Sequence, residues 1–134
     1  MIFVDANVPQ YIVGDDDARK LDALGAVERL TAERRRLVTS SEVFQEILHR
    51  YSAIARHAAI EPAFEVLRTM VDDVLAVEED DVFAAKDIVN ARATTARDAL
   101  HVAMMRRRQI TEILSFDRGF DAVSGITRLP SPGA

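Results

Sequence analysis

The 134-residue sequence predicts an α/β protein, a three-layer α/β/α sandwich in which helices cover both faces of a mostly parallel central sheet. Two observations predict this class, and the length predicts a single domain. Short apolar runs alternate with helical stretches along the chain, and the runs lack the polar alternation of a half-exposed strand. The length suits one hydrophobic core. We therefore expect a single domain over residues 1–130 and a short flexible tail over residues 131–134.

Five short runs rich in Ile, Val, Leu and Phe are predicted to be strands. They are Ile2–Val4 and residues 37–39, 74–77, 112–116 and 126–129. The last run lies just before a Pro-Ser-Pro-Gly tail, so it is expected to be a short edge strand.

Helical periodicity is clearest over residues 63–74, where apolar side chains recur at spacings of three and four and Pro62 suits the first turn. The TSSE sequence of residues 39–42 resembles a capping box, and it opens a helix whose apolar stripe is Phe44, Ile47, Leu48, Tyr51 and Ala55. Three further helices are predicted, over residues 18–36, over residues 80–90 with Asp80 or Asp81 as the N-cap, and over residues 98–107, which should be buried.

The composition excludes several classes of protein. The chain has no cysteine, which excludes a disulfide scaffold, a thiolate zinc site and a cysteine nucleophile. The first residues lack a basic segment, so no signal peptide is expected, and no apolar run approaches the roughly 20 residues that span a bilayer. We expect a cytoplasmic protein. The net charge of −5 argues, at first sight, against a nucleic-acid partner.

Four acidic residues stand where a parallel α/β sheet binds its ligands, beyond the carboxyl ends of the strands. Asp5 directly follows the first predicted strand, and Asp117 follows the fourth. Asp98 stands at the start of the buried helix, and Glu46 lies on the helix that follows the second strand. We expect these carboxylates to approach one another.

Converging carboxylates repel each other, and protonation or a bound cation must relieve the repulsion. Oxygen ligands without His or Cys favour Mg²⁺ or Mn²⁺, and such an ion can activate water for phosphodiester hydrolysis. The competing interpretation is that these acids cap helices or face solvent. Asp121 is an alternative ligand to Asp117.

Four motifs occur in order along nearly the whole chain: IFVDANV at residues 2–8, VTSSEVFQEIL at 38–48, ARDALHVA at 96–103 and LSFDRGF at 114–120. Together they resemble a PIN domain of the VapC type, the toxin of a bacterial toxin–antitoxin pair. The resemblance implies a PIN-like fold and an endoribonuclease with an acidic Mg²⁺ or Mn²⁺ site, inhibited by a cognate antitoxin. It also implies a homodimer.

The resemblance assigns the acidic catalytic and metal-binding positions to Asp5, Glu46, Asp98 and Asp117. Asn7 and Ser115 match polar residues that support the acids. One departure is Ala6, where the family commonly has Thr or Ser. The missing hydroxyl removes one hydrogen bond that could orient a metal ligand.

Other polar residues have simpler interpretations. His101, one turn after Asp98, is expected to be packed or hydrogen-bonded, with ligation or proton transfer as the alternative, and His49 and His57 are expected on the surface. The acidic runs 15–17 and 78–81 are interpreted as helix starts. The arginine triplets 34–36 and 106–108 are interpreted as solvated helix ends, or as contacts for RNA phosphates if they lie beside the acids.

Two other functions also fit an Asp at the end of an early strand. A haloacid-type phosphatase needs a second Asp two residues later, where this chain has Asn7, and a receiver domain needs a late Lys, whereas the last Lys here is Lys86. The remaining alternative is an interaction module with the same fold and a silent site.

Overall fold

The computed structural model describes residues 1–92 and 94–130. Its strands are β1 (Ile2–Val4), β2 (Leu37–Ser40), β3 (Asp73–Leu75), β4 (Glu112–Leu114) and β5 (Thr127–Leu129). Its helices are α1 (Asn7–Val13), α2 (Asp17–Ala32), α3 (Ser41–Ala53), α4 (Ile60–Met70), α5 (Glu79–Asn90) and α6 (Ala96–Arg107). Short 3₁₀ helices span His57–Ala59 and Arg118–Ala122. None of the described helices combines the length and apolarity needed to cross a membrane. The expected tail over residues 131–134 lies outside the described residues.

The five strands form one sheet in the order β3-β2-β1-β4-β5, and every pair is parallel. The predicted α/β class with a central parallel sheet is confirmed. The chain proceeds outward from β1 through β2 to β3, and then returns to the other side of β1 to form β4. The strand order therefore reverses between β1 and β4, and such a switch point opens a crevice at the carboxyl edge.

The helices form two groups, in which α1 contacts α2 and α4, α3 contacts α4, and α5 packs on α6. Right-handed crossovers place α1–α4 on one face of the sheet and α5–α6 on the other. Both faces of β1 are consequently buried, as the uninterrupted apolar run predicts. The predicted burial of α6 is confirmed, since Ala99, Val102, Met104 and Met105 are all inaccessible to solvent.

Several predicted boundaries were wrong because a strand continues only while its neighbour offers hydrogen bonds. Strand β3 occupies Asp73–Leu75 rather than 74–77, β4 stops at Leu114, and β5 starts at Thr127. Helix α2 ends at Ala32 rather than residue 36, because Arg34 adopts a positive φ of 57° that turns the chain into β2. Helix α4 lies at Ile60–Met70, earlier than the predicted 63–74.

The predicted capping box at residues 39–42 was also displaced by one position. Thr39 belongs to β2, where its hydroxyl donates to the Val4 carbonyl at 2.8 Å, and Ser40 caps α3 by accepting from the Val43 N–H. The apolar stripe of α3 changes accordingly. Val43 is buried, whereas Leu48 is 41 % exposed and Ala55 lies beyond the helix end.

The N-caps of two further helices, α5 and α6, also differ from those expected, and the second difference concerns Asp98. Glu78, rather than Asp80 or Asp81, is the N-cap of α5, with Asp81 completing a capping box. Thr95 caps α6 by accepting from the Asp98 N–H. The Asp98 carboxylate is therefore not used for capping its own helix.

Asp81 lies at the centre of an ion-pair network that joins α5 to the end of α6. Its fully buried carboxylate accepts from Arg107 at 2.6 Å, from Arg108 at 2.9 and 3.1 Å, and from the Glu78 N–H at 2.8 Å. Burial alone would raise the pKa of Asp81, but the hydrogen bonds from Arg108, Glu78 and Arg107 lower it to about 2. The acidic run 78–81 is thus a helix start that also binds the arginines.

We predict that Asp81→Ala lowers the free energy of unfolding by about 2–4 kcal/mol at pH 7, because two arginines lose a buried partner. Asp80→Ala, which removes an exposed neighbouring carboxylate, is the matched control and should have little effect. The difference between the variants should persist above pH 4 and shrink as the pH falls toward 2, since the folded carboxyl is protonated only there. Urea unfolding measures it, and equal stability of the two variants would contradict the network.

Candidate metal centre

The four acids predicted from the sequence lie around one cavity at the carboxyl edge of the sheet, beside the switch point. The cavity has a volume of about 140 Å³. It is lined by Asp5, Ala6, Asn7, Gln10, Glu46, Arg50, Arg97, Asp98 and Asp117. These side chains come from the ends of β1 and β4 and from α1, α3 and α6. Elements that are distant in sequence therefore share one small polar site.

Asp5 is buried directly after β1, and protein groups hold both of its carboxylate oxygens. The Ser115 hydroxyl donates to Oδ2 at 2.6 Å, and the Ala6 N–H donates to Oδ1 at 2.7 Å. Burial raises the pKa of Asp5 above its ordinary value, although His101 and the Ser115 hydrogen bond act in the opposite direction. Added positive charge at this position would therefore stabilise the ionised form.

Asn7 and Ser115 occupy supporting positions around Asp5, as the resemblance implies. The Asn7 amide donates to the Ser115 Oγ at 3.2 Å and to the Asp5 Oδ2 at 3.4 Å, and its Oδ1 accepts from the Phe116 N–H. Ser115 also accepts from the Asp117 N–H at 3.1 Å. Ala6 contributes its backbone N–H to Asp5, a hydrogen bond that does not depend on the side chain at this position.

The other three acids differ in exposure. Glu46 projects from α3, and its side chain is only 10 % exposed. The competing interpretation, an acid that faces solvent, was therefore wrong for this residue. Asp98 lies in the first turn of α6 and is buried, whereas Asp117 is exposed and also accepts from the Gly119 N–H. Burial, followed by the charges of Asp117 and Asp5, raises the pKa of Asp98 to about 6.

His101 lies beneath the acids and is completely buried. Its Nε2 is 2.5 Å from the Glu46 Oε1 and 3.8 Å from the Asp5 Oδ1, and its ring packs against Phe3. The expectation of a packed, hydrogen-bonded histidine is confirmed. Ligand atoms of Asp5, Glu46 and His101 all lie within 4.8 Å of one another, so this residue belongs to the site itself.

The donor set fits a hard divalent cation held by carboxylates. A histidine that ligates a metal normally fixes its other ring nitrogen with a hydrogen bond. Within residues 1–92 and 94–130, the buried Nδ1 of His101 has no hydrogen-bond partner. Its Nε2 is occupied by Glu46. The residues therefore fit a carboxylate-bound ion better than a histidine-ligated one.

Other candidates from the sequence are engaged elsewhere. Asp121, the alternative to Asp117, is paired with Arg128 at 2.8 Å. His49 and His57 are exposed, as expected. Asn7 supplies an amide where a phosphatase needs a carboxylate, and Lys86 lies over the Phe83 ring on α5 rather than at the site. The geometry for phosphotransfer is therefore missing among these residues.

The arginine triplets lie away from the acids. The Arg36 backbone carbonyl accepts a hydrogen bond from the Ile2 N–H at the amino edge of β1, and the Arg35 side chain pairs with Glu112 at the start of β4. Arg107 is nine residues after Asp98, about 13 Å along α6. The triplets therefore do not meet the condition, proximity to the acids, under which they were expected to contact RNA phosphates.

The basic residues that do line the cavity are Arg50 and Arg97, which sequence reasoning missed. Their positions offered a signal, since Arg50 is four residues after Glu46 on α3 and Arg97 directly precedes Asp98. The Arg97 Nε is 3.8 Å from the Glu46 Oε1, and the side chain is 63 % exposed.

We predict that Asp98→Asn stabilises the metal-free protein by about 1–2 kcal/mol at pH 7.5 and has almost no effect at pH 4. Between about pH 4 and 6 the folded carboxyl retains a proton that the unfolded chain loses, so wild-type stability falls with rising pH. Urea unfolding in EDTA measures the difference, with the exposed Asp87→Asn as a control. A stabilisation that is the same at both pH values would contradict the assignment.

The comparisons with known proteins concern the chain as a whole. The family model described as "PIN domain" matches residues 2–126. The VapC ribonuclease Mb1869c of Mycobacterium bovis is 49 % identical over 130 residues, covering 96 % of this chain and 99 % of that protein. A match of this length leaves no large segment of the relative without a counterpart.

Two solved structures share the fold. Mycobacterium tuberculosis VapC20, described as a Sarcin-Ricin loop cleaving toxin, is 26 % identical with a TM-score of 0.72, covering 92 % of this chain and 95 % of that one. VapBC2 from Rickettsia felis, bound to a fragment of its promoter DNA, has a TM-score of 0.72 at 12 % identity, covering 96 % and 97 %. The resemblance expected from four short motifs is confirmed: this chain belongs to the PIN domain family, among its VapC members.

Proposed function

We propose that this protein is a Mg²⁺- or Mn²⁺-dependent endoribonuclease that acts as the toxin of a toxin–antitoxin pair. The observation that carries the proposal is the convergence of Asp5, Glu46, Asp98 and Asp117 on one cavity at the switch point. The ribonuclease named at 49 % identity supports the reaction class. We further propose that residues 1–130 act as one nuclease domain.

The four acids are proposed to hold the cation, and Ser115 and Asn7 to hold Asp5 in place for it. A bound Mg²⁺ or Mn²⁺ would polarise a phosphoryl oxygen and lower the pKa of water near the scissile phosphate. The raised pKa values of Asp5 and Asp98 support a site built for positive charge, because burial and mutual repulsion disfavour four bare carboxylates.

Arg50 and Arg97 are proposed to contact the phosphates of RNA that flank the cleaved bond. Both line the acidic cavity, and both side chains are exposed at its rim. A phosphodiester chain would otherwise be repelled by the acids around it. Guanidinium groups bind phosphate in a fixed, bidentate geometry, so they can position the backbone without reading its sequence.

We predict that Asp5→Asn and Asp98→Asn each lower RNA cleavage in Mg²⁺ at least about 100-fold, because each removes a charged ligand while preserving shape. Cleavage of a labelled RNA by purified protein measures the effect. Asp87→Asn on the exposed side of α5 is the charge-matched control and should cleave like the wild type. Full activity in the Asp5 and Asp98 variants would contradict the site. Absence of activity and of Mn²⁺ binding in the wild type would favour a silent interaction module.

We predict that Arg97→Gln and Arg50→Gln each raise KM for RNA about 5–10-fold and reduce the slope of log affinity against log salt by about one. The loss of one phosphate contact explains both changes. Arg36→Gln, which removes an exposed arginine at the opposite edge of the sheet, is the control. An equal KM for all three variants would show that the cavity arginines do not bind RNA.

The proposal includes an antitoxin and a second copy of the chain. We propose that an antitoxin segment covers the cavity and brings a cationic side chain to the acids, since a positive charge would relieve their repulsion. The solved toxin–antitoxin complexes of the same fold support an antitoxin partner. A homodimer is proposed through the exposed apolar side chains of α5, which are Val82, Phe83 and Val89. A cytoplasmic location is proposed as well.

A further inference from the structure

We propose that His101 is a positioning residue that holds Glu46 in the cavity and thereby sets the protein's affinity for the divalent cation. The inference deepens the proposed function and rests on its metal centre. It concerns a residue for which neither the family resemblance nor the acid pattern supplies a role. The contact that carries it is the 2.5 Å approach of the His101 Nε2 to the Glu46 Oε1.

Glu46 requires such a partner because its position along the chain does not fix its carboxylate. It projects from α3, which belongs to the helical layer opposite α6, and its side chain has three rotatable bonds. Arg97 is its other ionic neighbour among the described residues, and that side chain is 63 % exposed at a distance of 3.8 Å. An exposed pair at this distance restrains a carboxylate weakly. His101 is the rigid partner.

His101 itself has little freedom to move. The ring is 0 % exposed, its centroid lies 5.3 Å from that of Phe3 on β1, and α6 is buried around it. The Nε2 also lies 3.8 Å from the Asp5 Oδ1. The nitrogen that contacts Glu46 is therefore itself held in place by its packing, close to a second proposed cation ligand.

The alternative is that His101 ligates the cation directly. The orphan Nδ1 argues against it, because a ligating imidazole is normally oriented by a hydrogen bond at its second nitrogen. An Nε2–H that donates to Glu46 leaves Nδ1 as a buried acceptor among apolar neighbours, which costs less than a buried donor without a partner. His101 thus acts through Glu46 rather than on the ion.

The test is a double-mutant cycle read out as Mn²⁺ affinity by calorimetry, with stability followed by urea unfolding. His101→Leu keeps the volume and loses the donor, so we expect Mn²⁺ binding to weaken about 10–100-fold. His101→Gln keeps an N–H donor at similar reach and should recover most of the affinity. In a Glu46→Gln background, His101→Leu should produce no further loss, because the residue acts only through that carboxylate. Met104→Leu, a repacking of buried α6, should bind Mn²⁺ like the wild type.

The outcomes separate this inference from the proposed function. Wild-type protein that binds no Mn²⁺ would overturn the metal centre and this inference together. Two results would overturn the inference alone. In the first, Glu46→Gln weakens Mn²⁺ binding and His101→Leu leaves it unchanged. In the second, the losses of affinity add in the double variant, as direct ligation by His101 predicts. If His101→Leu does not fold, His101→Gln decides: wild-type affinity is expected, and a loss as large as that of Glu46→Gln overturns the positioning role.

Discussion

The structure depends on one constraint, the presence of a buried carboxylate directly after its central strand. Asp5 follows β1, and removing a charge from water is costly unless hydrogen bonds or an opposite charge replace the lost hydration. The Ser115 hydroxyl supplies the shortest of these bonds, from the end of β4. Ser115 can donate only one proton, and it accepts from Asn7 and Asp117 in return. The hydrogen bonds that Asp5 requires thereby join the carboxyl ends of β1 and β4.

Charge is used in opposite ways at the cavity and away from it. Away from the cavity, arginines are paired with acids: Arg35 binds Glu112 at the start of β4, and Arg107 and Arg108 bind Asp81 on α5. Around the cavity, acids outnumber the arginines, and burial raises the pKa values of Asp5 and Asp98. The net charge of −5 therefore says little about nucleic acid, since four of the 22 acidic residues are gathered at one site. Their placement, rather than their number, indicates a phosphodiester substrate.

Local sequence patterns predicted elements reliably and their ends poorly. The buried strand β1 and the apolar helix α6 could be predicted because burial on all sides leaves a continuous apolar signature. The caps could not, because several Ser, Thr, Asp and Glu residues next to each start are chemically able to cap. Thr39 was displaced from capping by its bond to the Val4 carbonyl, and Asp98 by Thr95. A tertiary hydrogen bond decided the first of these choices, and a local one decided the second.

The sequence by itself determined the class of fold, the order of the acids and the place of Asp5 and Asp117 after β1 and β4, because side-chain periodicity and position along the chain are local properties. Only the tertiary structure decided which side chains share the cavity. Glu46 and His101 are 55 residues apart on opposite helical layers, and their contact follows from the packing of α3 and α6 against the same sheet edge. Long-range packing likewise decided which arginines line the cavity: Arg50 and Arg97 do, whereas Arg35 pairs with Glu112 and Arg107 pairs with Asp81. Residue type set the available chemistry, and long-range packing set which groups could act together.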